Sequence, residues 1–124
     1  MHEMLRSPSP EDFLEAWKNA VTLIAKYAHI DVSELIDGDI ESATSYQELS
    51  PKLEKWTSLP GSCFHCDSGF DALCCQVLSF YNSGAAMKSV EYRPELATPW
   101  ALACLVDQNG IEAIKNLTRY YCGW

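Results

Sequence analysis

The sequence predicts an all-α fold, a compact single-domain bundle of six or seven mostly short helices. Three observations carry that prediction. Apolar residues recur three and four apart along several stretches, helix-start signals recur along the chain, and no segment alternates polar and apolar residues with β-branched enrichment. Residues 1–8 are expected to be a flexible N-terminal segment and residues 9–124 one helical domain. A chain of 124 residues falls within the roughly 100–200 that share one core.

The first helix is the clearest. Ser9 is placed to cap it, Pro10 suits its first turn, and Glu11 and Asp12 face the positive end of its dipole. Phe13, Trp17, Ala20, Val21, Ile24 and Ala28 line one side, whereas Glu15, Lys18, Asn19, Thr22 and Lys26 gather on the other. Asp31 to Gly38 predicts a short capped helix, followed by an acidic connector from Asp39 to Thr44. Ser45 with Glu48, then Ser50-Pro51, predict one or two short helices ending near Leu59, where Pro60-Gly61 turns the chain.

Asp67 or Ser68 opens the next helix, which runs to about Tyr81 with Phe70, Leu73, Cys74, Val77, Phe80 and Tyr81 on its apolar face. On the same spacing Asp71, Cys75, Gln76 and Ser79 lie around its back. A further helix is expected over 85–92, and Thr98-Pro99 opens an apolar run from Trp100 to Val106. Asn109 with Glu112 reads as the capping signature of a last helix through Tyr121, with Tyr120, Tyr121 and Trp124 packing it onto the core.

The charge is strongly one-sided, at a formal −8. Nucleic-acid binding is therefore not expected, because its affinity comes from Lys and Arg neutralising phosphates. An anionic membrane surface is disfavoured for the same reason. No apolar run approaches the roughly 18 residues of a membrane span, and the start of the chain lacks a secretory apolar core, so a cytoplasmic location is expected. In that compartment the six cysteines would be reduced thiols.

Two constellations could carry chemistry. The first is Cys63-Phe64-His65-Cys66 with Cys74-Cys75 close behind. Cys63 and Cys66 supply half of a tetrahedral zinc site, and the other half would have to come from His65, Cys74, Cys75, Cys104 or Cys122. Adjacent helical residues point about 100° apart, which assigns Cys74 to the core and Cys75 to the opposite side. A CxxC before a helix can also run thiol redox chemistry, since the helix dipole lowers the pKa of the first thiol. The motif resembles the CxxC of the all-helical alkylhydroperoxidase D family. That family adds a His four residues after the second Cys, where this chain has Phe70, and Pro60-Gly61 interrupts the helix the family places upstream. Cysteine also fills cores as a small hydrophobe, the role expected for Cys74, Cys104 and Cys122.

The second constellation is acidic. Between Lys26 and Lys52 stand Asp31, Glu34, Asp37, Asp39, Glu41 and Glu48 with no Lys or Arg among them. Asp37, Asp39, Glu41 and Glu48 occupy positions 1, 3, 5 and 12 of a calcium-loop pattern, but the sixth position, which needs glycine, is Ser42. No nucleophile elbow or glycine-rich phosphate loop is present, and no catalytic residue is assigned.

The expected function is that of a small acidic protein-binding module, an inhibitor, immunity or chaperone-type protein that docks on a basic surface of a partner and blocks it sterically. The partner would meet Asp31, Glu34, Asp37, Asp39, Glu41 and Glu48. A homodimer is compatible with the wide apolar helix faces. No cofactor is expected on this reading. The alternative is a zinc or thiol-redox protein centred on the Cys63-x2-Cys66 loop, with His65 and Cys75 as further candidates.

Overall fold

Ser9 begins the first helix as its chemistry allows. Its side-chain oxygen accepts the Asp12 N–H (3.3 Å) and its hydroxyl donates to Asp12 Oδ2 (2.9 Å), satisfying one of the amide groups that a helix start leaves unpaired. In the computed structural model, which describes residues 9–56, 68–82, 84, 86, 87, 91 and 108–121, helix α1 spans Pro10–Ala28. Its buried side includes Phe13, Trp17, Ala20, Val21, Ile24 and Ala28, joined by Leu14, Ala16 and Ala25. Glu15, Asn19, Thr22 and Lys26 are exposed. The helix ends at His29, in the left-handed region at φ 59, where the Ile30 N–H reaches back to the Ala25 carbonyl (3.0 Å).

Three further helices follow among the described residues: α2 (Leu53–Trp56), α3 (Ser68–Ser79) and α4 (Asn109–Tyr120). Two single 3₁₀ turns lie between α1 and α2, at Val32–Glu34 and Tyr46–Glu48. No strand occurs there, only an isolated antiparallel bridge between Ile36 and Pro51. The fold class is thus all-α. In place of six or seven helices, the described residues hold four and two 3₁₀ turns. The expected helix over 85–92 falls on helical backbone at 84, 86, 87 and 91, whereas the run 100–106 lies outside the described residues.

The helix expected over Asp31 to Gly38 shortens to a single 3₁₀ turn. Asp31 caps as expected, its carboxylate accepting the Ser33 N–H (3.0 Å) while the Glu34 carboxylate accepts the Asp31 N–H (3.3 Å). After one turn, however, Leu35 and Ile36 are consecutive apolar residues, and both are fully buried. The chain straightens there, and Asp37 N–H and Lys52 N–H bond the carbonyls of Ser50 and Leu35 (2.8 and 2.7 Å). Pro51 enters this bridge instead of opening a helix.

Helix α1 packs chiefly on α4, which also meets α3, and both 3₁₀ turns rest on α1. The buried residues of helix α4 are Gly110, Ala113 and Leu117, of which only Leu117 is large. Its cap differs from expectation: Gln108 holds the cap position without a side-chain bond, and Asn109 is already helical. Tyr121 is 40% exposed, yet its ring lies edge-on to Phe13 and Phe80 (5.7 and 5.8 Å).

Candidate functional site

The acidic segment between α1 and α2 is irregular but closely held. Trp17, fully buried on α1, donates its indole N–H to the Leu49 carbonyl (3.0 Å), and Trp56 on α2 donates to the Leu35 carbonyl (2.9 Å). The two indoles stack at 6.2 Å with 10° between their planes, and the Tyr81 ring lies 5.0 Å from Trp17. The Tyr81 hydroxyl meets Ser50 Oγ (3.0 Å) and donates to the Gln47 carbonyl (3.2 Å). Lys18 Nζ reaches the Ala43 carbonyl and Lys52 Nζ the Ser33 carbonyl (3.3 and 3.0 Å). The buried bonds to the Leu49 and Leu35 carbonyls thus come from indoles outside the loop, as buried carbonyls require.

Gly38 makes the sharpest turn of this segment. It sits at φ 79, and a Cβ built there would fall 2.4 Å from the Glu48 carbonyl oxygen. Only glycine fits that approach without backbone movement.

On this scaffold all six predicted acids, Asp31, Glu34, Asp37, Asp39, Glu41 and Glu48, are exposed. They are not equivalent. Glu34 lies 3.9 Å from Lys55, and Glu48 feels Lys18 across the loop. Two carboxyls are held below the ordinary range: Asp31 by the Ser33 amide first and its hydroxyl second, Glu48 by the Thr44 amide and then its hydroxyl. Asp39 turns inward on its own loop, accepting from the Glu41 N–H and the Ser42 hydroxyl (3.1 and 3.0 Å). Among the described residues no cation pairs with Asp37, Asp39 or Glu41. The unbalanced charge therefore concentrates on 37–41, a distinction that the spacing of acids in the sequence does not reveal.

Beside this tip lies a half-open cleft of about 230 Å³. Val32 and Ile40 are its partly exposed apolar lining residues, and Asp31, Asp39 and Glu41 its acidic ones.

The calcium-loop pattern is not realised as a cation site. The Glu48 carboxylate at its twelfth position is taken by the Thr44 N–H and hydroxyl (3.0 and 3.1 Å), and the positive-φ glycine falls at the second position of the pattern instead of the sixth. Among the described residues no three His, Cys, Asp or Glu side chains converge as a metal site.

The cysteine reading changes at one residue. Cys63, His65 and Cys66 lie outside the described residues. Cys74 is buried on α3 as expected, but Cys75, expected on the opposite, polar side, is buried too, 8% exposed, with Sγ 3.7 Å from the Ala86 carbonyl. Ala86, itself buried, lies against Cys75 on the side of α3 that periodicity alone leaves open. Burial pushes the Cys75 thiol up, which disfavours the thiolate that metal binding and thiol exchange both need. Both residues are thiols in this structure.

No helix among the described residues is long and apolar enough to cross a membrane. Comparison of the chain with protein-family models, curated proteins and solved structures finds no match.

Proposed function

We propose that the chain is a protein-binding module of the inhibitor, immunity or chaperone type, which docks through residues 31–48 onto a basic surface of a partner protein and blocks it sterically. The observation that carries this reading is the combination of exposed acids with a backbone anchored from α1, from α2 and from Tyr81 just beyond α3. A surface held in one geometry before binding loses little conformational entropy on docking. Asp37, Asp39 and Glu41 supply the attraction, since their charge is not offset by neighbouring lysines. The cleft beside them suits a lysine or arginine side chain, with its stem over Val32 and Ile40 and its cation near Asp31, Asp39 and Glu41.

The test is capture from a lysate of the native host on immobilised chain, comparing the wild type with the triple reversal Asp37→Lys, Asp39→Lys, Glu41→Lys. The proposal expects a partner retained by the wild type and lost by the reversal. Its association should slow markedly as salt rises, because charges further apart than about 8 Å are screened at 0.15 M. A partner that the reversed chain retains, or whose association ignores salt, contradicts it. All three positions are exposed, so a circular-dichroism melt of the variant separates loss of docking from loss of fold.

A further inference from the structure

We draw no further inference here: the strongest candidate, the half-open cleft between Val32, Ile36 and Ile40 and the carboxylates of Asp31, Asp39 and Glu41, belongs to the face already described, and beyond the acidic cluster itself nothing in the structure points to a ligand in it.

Discussion

Helix α1 and the segment that follows it, residues 29–52, are built on opposite plans. The helix satisfies its own backbone through bonds four residues apart, and its side chains are left to pack. The segment satisfies part of its backbone through distant donors: Trp17 reaches Leu49 across 32 residues, Tyr81 reaches Gln47 across 34, and Trp56 reaches Leu35 across 21. The helix is therefore locally determined, whereas the shape of the acidic face depends on the core beneath it. Changes to the core should reach that face, and changes to exposed residues of α1 should not.

The largest effect is expected at the residue shared by both regions. Trp17→Ala removes a fully buried side chain and orphans the Leu49 carbonyl, and should cost about 3–5 kcal/mol by denaturant unfolding. Trp17→Phe refills most of the volume without the donor; recovery of full stability would show that the indole bond contributes little.

Next comes Gly38→Ala, which confronts both a left-handed backbone and the Glu48 carbonyl. A loss of about 2 kcal/mol or more is expected. A neutral result would mean that the loop relaxes freely, against the picture of a fixed platform. Trp56→Phe isolates the second indole bond and should lower stability by about 0.5–1.5 kcal/mol, since the Leu35 carbonyl loses that donor but keeps the Lys52 N–H.

At the boundary between the regions, His29→Gly should stabilise by about 0.5–1 kcal/mol, because glycine adopts φ 59 without strain. The smallest effect concerns pH. Asp31 and Glu48 are held below their ordinary values, so their contribution is present above the usual carboxylate range and fades as pH falls through the folded values. Stability should decline below about pH 4, and less steeply in Asp31→Asn with Glu48→Gln, as urea midpoints recorded from pH 6 to 2 would show.

The same contrast explains what could be read in the sequence. The exposed and buried sides of α1 follow from the spacing of Phe13, Trp17, Ala20 and Ile24, and the caps at Ser9 and Asp31 follow from residue type, because each of these is decided within a few residues. The loop is a different matter. Leu35 and Ile36 look like part of a short helix until they meet Pro51 and the indole of Trp56, neither of which any local pattern connects to them. Cys75 fails for a related reason: a helical wheel places it opposite the core, but Ala86, eleven residues on, lies against it. The six acids were legible as a group. Their division into Glu34 and Glu48, which lie near Lys55 and Lys18, and Asp31, Asp37, Asp39 and Glu41, which pair with no cation among the described residues, required the positions of those lysines.

The central claim is that the acidic face is built before any partner arrives, and amide hydrogen exchange tests it most directly. The Asp37 and Lys52 amides, which bond Ser50 and Leu35 across the base of the loop, should exchange slowly in the wild type, with protection approaching that of the α1 amides around Val21. In Trp56→Phe they should lose protection more than those α1 amides do. Exchange of Asp37 and Lys52 at the rate of an unstructured chain in the wild type would contradict the account.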